Sequence, residues 1–192
     1  MADGILKVGQ ITTSSGSGTI TIGQSGETIN IPSGTTVSGA GTNTPAFLTT
    51  GTTQTNVADS TTTKAQFDTE TYDTAGNYDT STYRFTPTTA GKYFIFANIK
   101  FFDDSDTNVM YSTDLQIYKN GASVIRQQTR LSGTDGSAST FFNVINTETA
   151  SGVVEANGSS DYFEVYWDLK HNSSSVCDVM NNYFGAYKLI GV

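Results

Sequence analysis

Few residues in this sequence could build a reaction centre. The chain has one histidine, His171, and one cysteine, Cys177. Asp168 stands three residues before His171, and serines are plentiful, so a nucleophile–base–acid set can be drawn on paper. No Gly-x-Ser-x-Gly turn is there to present the serine, and Asp168 and His171 fall at the end of one strand-like stretch. His171 therefore reads as a loop histidine. Cys177, within Ser175-Val176-Cys177-Asp178, reads as a small buried thiol near a strand. Glycoside hydrolysis needs two carboxylates across a cleft, and nothing in the spacing pairs any. No glycine-rich loop ends in a phosphate-binding lysine. The reading is that the protein is not an enzyme.

The best candidate for a bound ion is the run Asp103-Asp104-Ser105-Asp106-Thr107-Asn108. Asp104, Asp106 and Asn108 alternate like the opening ligands of a calcium loop. The glycine that should follow is Val109, and the closing glutamate is Leu115. Two readings stay open: a solvated loop, and a calcium site of another geometry. No other cofactor is expected. Asn157-Gly158-Ser159 and Asn172-Ser173-Ser174 match glycosylation sequons, which matter only on a secretory route.

Composition narrows the scaffold that must position these residues. Over 192 residues the net charge is −8, and only 15% of side chains are charged. An average soluble protein has about 25%. Threonine fills 32 positions, and its branched Cβ suits strands and weakens helices. An all-helical fold is excluded. An acidic chain without a Lys/Arg cluster has no footprint for nucleic acid. No apolar run approaches the ~20 residues of a membrane helix. The start, Met1-Ala2-Asp3-Gly4-Ile5-Leu6, lacks a secretory pattern, so synthesis in a cytoplasm is expected.

The chain has two parts. All 22 aromatic residues lie at or after Phe47. Residues 1–45 are Gly/Ser/Thr-rich and cannot build a core alone. Yet Thr19-Ile20-Thr21-Ile22 and Thr28-Ile29-Asn30-Ile31 alternate polar and apolar. That predicts a thin β arm or stalk, covered by copies of itself, with a flexible linker as the other reading. Residues 46–192 carry recurring strand signals and turns, which predict a sandwich or barrel. Tyr93–Phe101 reads as a strand buried on both faces for much of its length. Asn120-Gly121 reads as a hairpin turn. Tyr162, Tyr166, Tyr183 and Tyr187 point outward. They are either an oligomer interface, where Tyr is enriched, or ordinary tyrosines with a wet hydroxyl.

One stretch is more specific. Phe67, Asp73, Tyr78, Phe85, Gly91 and Tyr93 are spaced as in the complement C1q globular-head domain. Leu115–Gly121 and Phe184–Leu189 are similar to that family's Lys-Asn-Gly strand and closing strand. The family pattern expects aromatics at the positions of Ile95 and Ala97, whereas here they stand at Phe94 and Phe96. The resemblance covers about residues 45–192. It implies an all-β C1q/TNF-like jelly roll, assembled as a homotrimer whose three arms wind together. It also implies that calcium could sit near the trimer axis.

The N-terminal stretch and the Phe184–Gly191 ending resemble small structural proteins of tailed phages. The expectation is a non-enzymatic virion protein: a trimeric tail-fibre knob that contacts a host surface glycan or protein. Its arm would dock on other virion proteins. A capsid decoration (head fibre) protein is the alternative. A polysaccharide-acting spike enzyme and a free adhesion module are lesser ones. No membrane insertion is expected.

Overall fold

The computed structural model describes residues 11, 19–22, 25–33, 43–102, 110–131, 145–171 and 176–190. Its strands are β1 (Ala46–Thr50), β2 (Thr53–Ala58), β3 (Thr63–Lys64), β4 (Thr69–Asp73), β5 (Tyr78–Asp79) and β6 (Arg84–Phe85). They continue with β7 (Gly91–Phe102), β8 (Met110–Lys119), β9 (Ala122–Arg130), β10 (Ile145–Ala156), β11 (Phe163–His171) and β12 (Val176–Lys188). No helix is present among the described residues.

Two antiparallel sheets form the sandwich. Sheet A runs β10-β7-β12-β1-β4, with β2 also paired to β12; sheet B runs β5-β6-β11-β8-β9, with β3 paired to β11. Alternation along each strand separates the two sides of each sheet. In β7, Tyr93, Ile95, Ala97, Ile99 and Phe101 are fully buried. Phe94, Phe96 and Phe102 between them are only half-buried. The expectation of a strand buried on both faces is corrected here: a single two-layer sandwich covers only one side of each sheet. In β11, Phe163, Val165, Trp167 and Leu169 face the core, as their spacing predicts.

The hairpin between β8 and β9 turns at Asn120 and Gly121, with φ of 52° and 82°. Both central residues of a type I′ turn need positive φ. Lys119 and Ala122 are paired directly across it.

The spaced residues from 67 to 93 come together in the core. Phe47 stacks on Phe85 at 4.3 Å and on Tyr78 at 5.0 Å. Phe85 meets the edge of Tyr93 at 5.8 Å, and Phe67 lies 5.6 Å from Phe184. Asp73 closes the β4–β5 turn. Its Oδ1 accepts from the Ala75 amide (3.0 Å) and its Oδ2 from the Tyr78 amide (2.7 Å). Gly91 has φ of 143°, and a Cβ there would lie 2.8 Å from Cε of Lys188. Only glycine fits that backbone without strain.

The chain divides into two compact units, Met1–Ala40 and Gly41–Val192. The described residues of the first unit carry a turn at Ser25-Gly26 and no strand. Ile20, Ile22, Ile29 and Ile31 are 42–64% exposed, so the apolar stripe that alternation predicts is uncovered in one chain.

The hydroxyl of Tyr78 donates to the Phe67 carbonyl at 2.9 Å inside the core, where burial pushes the phenol well above its ordinary pKa. Tyr78→Phe leaves that carbonyl without this donor and is expected to cost about 1 kcal/mol. Urea denaturation checks this: a lower midpoint with an unchanged slope is the expected result.

Candidate interaction faces

The two outer faces of the sandwich differ in chemistry. That of sheet A is aromatic. Phe94 lies 5.9 Å from Phe96 and 5.5 Å from Tyr187, and Phe96 meets Tyr183 edge-on at 5.9 Å. Phe94, Phe96 and Tyr183, with Leu48 of β1, Tyr72 of β4 and Ser151 of β10, line an open concavity of about 540 Å³. Tyr72 and Val153 are 45% and 58% exposed. The layer has a local cause at Gly185. A Cβ there would fall 2.7 Å from Cζ of Phe96 and 2.9 Å from the Phe47 carbonyl. A glycine opposite Phe96 in the β12–β7 register lets that ring lie across β12.

The outer face of sheet B is ionic and hydrogen-bonded. Glu164 Oε1 accepts from Lys64 Nζ at 2.7 Å and from Arg84 Nε and Nη2 at 3.0 and 2.8 Å. The Glu164 side chain is only 4% exposed. Burial alone would raise its pKa, but the Lys64 and Arg84 bonds outweigh burial and hold it below the usual carboxylate range. The Arg84 guanidinium also lies 3.8 Å over the Tyr162 ring. Arg126 binds both carboxylate oxygens of Asp114. Asp168 stands directly opposite Asp114 in the β11–β8 register. Its pKa is raised, first by burial, and Asp114 adds to that. Tyr118 and Tyr166 pack with centroids 4.4 Å apart.

This geometry divides the four outward tyrosines. Tyr166 lies on β11 of sheet B with Tyr162 one residue before that strand, whereas Tyr183 and Tyr187 lie on β12 of sheet A, so the four do not share one face. Each strand's alternation shows which residues point outward. It does not show to which sheet the strand belongs. Leu48, Tyr72, Phe94 and Phe96 complete the sheet A face and were not singled out from the sequence as interface residues. The displacement of aromatics to Phe94 and Phe96 was the available signal for two of them.

His171 is not a loop residue. It ends β11, is 6% exposed, and its amide donates to Asp59 Oδ1 at 2.8 Å. Asp168 instead belongs to the outer face, where its Oδ2 accepts a long bond from Thr62 Oγ1 at 3.4 Å. Cys177 stands in β12, opposite Val57 of β2. Asp104, Asp106 and Asn108 lie outside the described residues. Among the described residues no group of three or more His, Cys, Asp or Glu is placed to hold a metal ion.

Compared by sequence, neither a protein-family model nor a curated protein matches the chain. Compared by structure, murine APRIL at pH 5.0 superposes with a TM-score of 0.53 at 12% identity, covering 75% of this chain and 98% of that one. The fold is the C1q/TNF-like jelly roll. Eiger TNF from S. frugiperda aligns with a TM-score of 0.44 at 14% identity, over 77% of this chain and 93% of that one. The globular domain of zebrafish complement 1qA gives 0.43 at 13%, over 76% and 96%. At such identities the likeness concerns the fold.

Glu164 yields a pH prediction. Its folded pKa lies below the unfolded value, so its stabilising effect is present above about pH 4.5 and lost as pH falls through the folded pKa. Glu164→Gln should cost about 2 kcal/mol at neutral pH, moderated because Lys64 and Arg84 keep part of their surface in water. Melting curves of both proteins from neutral to acid pH check this. The gap between them should close in acid.

Proposed function

We propose that this protein is a non-enzymatic, trimeric knob of a phage tail fibre, which contacts the host surface. The observation that carries the assembly is the aromatic outer face of sheet A. Isolated exposed apolar residues are ordinary, but a contiguous aromatic patch marks a contact surface. Interfaces are enriched in such residues. Copies related by three-fold symmetry would cover the patch by a closed ring of heterologous contacts. The uncovered isoleucines of the first unit fit the same assembly, because three arms together can bury what one cannot. The sequence resemblance to C1q heads supports the trimer. The resemblance of both chain ends to phage structural proteins supports the virion.

The jelly-roll likeness to murine APRIL supports a binding role over a catalytic one. Three copies on one fibre would also let weak host contacts add through avidity.

Light scattering on a sizing column tests the assembly. The expected mass is three times 20.5 kDa. Placing charges in the patch by Phe94→Lys with Phe96→Lys should give single chains that keep their strand signal by circular dichroism. A monomeric native protein would overturn the trimer. For the virion role, excess purified protein should block adsorption of the phage to its host. A trimer that fails to compete would point to capsid decoration instead.

A further inference from the structure

The outer face of sheet B gathers more than half of the basic residues of an acidic domain. Residues 47–192 carry 9 basic and 16 acidic side chains. Five of those basic residues, Lys64, Arg84, Arg126, Arg130 and Lys170, stand on this one face or bond across it. Four acidic residues share it: Asp79, opposite Arg84 in the β5–β6 register, with Asp114, Glu164 and Asp168. Asp59 stands at its corner, where its Oδ1 takes the His171 amide. Arg126 is engaged by Asp114, and Lys64 and Arg84 by Glu164. Arg130 and Lys170 are exposed and flank Ser112 from either side in the register of sheet B. Among the described residues neither makes an ion pair. Further along the same face lies the half-buried Tyr118–Tyr166 pair.

We propose that this face binds an acidic polysaccharide. The inference deepens the reading of the protein as a surface-binding knob by naming the chemistry of its ligand. A pyranose has an apolar C–H side and a hydroxyl rim. The C–H side packs on the negative face of a tyrosine ring. A carboxylate or sulfate two or three sugars along the chain pairs with Arg130 and Lys170, neither of which makes an ion pair among the described residues. Arginine suits such oxyanions through its planar donor fork. Asp168, on the same row of β11 between Tyr166 and Lys170, accepts from sugar hydroxyls. Charge complementarity selects an acidic polymer over a neutral one. In a trimer packed through sheet A, this face looks outward on every copy.

The test uses the full chain and immobilised polygalacturonate, dextran sulfate, neutral dextran and a single-stranded oligothymidylate, read by interferometry. Binding to one or both acidic polysaccharides is expected, weakening as sodium chloride is raised. Arg130→Glu with Lys170→Glu should lower affinity about tenfold or more. Tyr166→Ala should lower it about three- to tenfold. Lys92→Glu, on the other sheet, should leave it unchanged. Circular dichroism and solution mass are recorded for each variant. Because Arg130 and Lys170 are exposed, the charge variant keeps the proposal testable even if Tyr166→Ala misfolds. The proposal is overturned if no acidic polysaccharide binds, if neutral dextran binds equally well, if the oligonucleotide binds best, or if Lys92→Glu alone abolishes binding. Failure of binding by a well-formed trimer sinks this inference and leaves the assembly standing.

Discussion

The structure depends on Phe47. It sits on β1 in sheet A, yet it stacks at 4.3 Å on Phe85 of β6 in sheet B and meets the edge of Phe184 at 5.1 Å. Face-stacked and edge-on contacts satisfy the ring quadrupoles together. The one side chain thus ties the two layers at the end of the sandwich where the chain enters it. Around it, Tyr78 and Phe67 arrive from a two-residue strand and a loop that would have little to hold them otherwise. β5 and β6 are two residues each, too short to be stable without such anchors. Truncating a buried ring of this kind typically costs about 3–5 kcal/mol, a large share of a domain's stability.

A second tie is made of amides. Asn181 of β12 donates its Nδ2 to Gln54 Oε1 at 2.7 Å and to the carbonyls of Thr52 and Gln66 at 3.2 and 3.1 Å. Gln54 Oε1 also takes the Gln66 amide at 3.0 Å, and its Nε2 reaches the Lys64 carbonyl at 3.0 Å. The approach is close because residue 51 is glycine: a Cβ there would fall 2.1 Å from the Gln66 carbonyl oxygen. Buried amides left without partners are expensive, so the network fixes the path from β1 through β4 as firmly as packing does.

How much of this was legible depended on the range of each signal. The Asn120-Gly121 turn was readable because its chemistry is local. The Phe67-to-Tyr93 spacing was readable because the residues that anchor Phe47 lie in one stretch of chain. The inward row of β11 followed from period two. The faces were not readable. Tyr166 and Tyr183 sit on the consecutive strands β11 and β12, and only the sheet order separates them. The charge on sheet B was invisible for the same reason. Its five basic residues come from β3, β6, β9 and β11, so they look scattered in a sequence with no basic run. His171 was misjudged because β11 extends through a register shift after Lys170 to reach it.

The aromatic face of sheet A follows from the volume of the core. Inside, small residues oppose large ones: Ala97 is paired with Phe184, and Ala186 with Phe47. Ala97 and Ala186 are fully buried. Such interdigitation fills an interior at close to crystal density, and extra rings at positions 95 and 97 would overpack it. Once Phe47, Phe67 and Phe184 supply the bulk, the inner row of β7 has no room for rings at Ile95 and Ala97 between Tyr93 and Phe101. Its Phe94 and Phe96 stand one residue out of phase with the family pattern and project from the other side. There the layer is held by ring contacts and by the missing side chain of Gly185, and it is only half covered. A sheet that invests three or four aromatic residues in an outer face gains their burial only when another surface closes over it. The core's own packing therefore leaves the outside of sheet A with an aromatic layer that is open for another surface to cover.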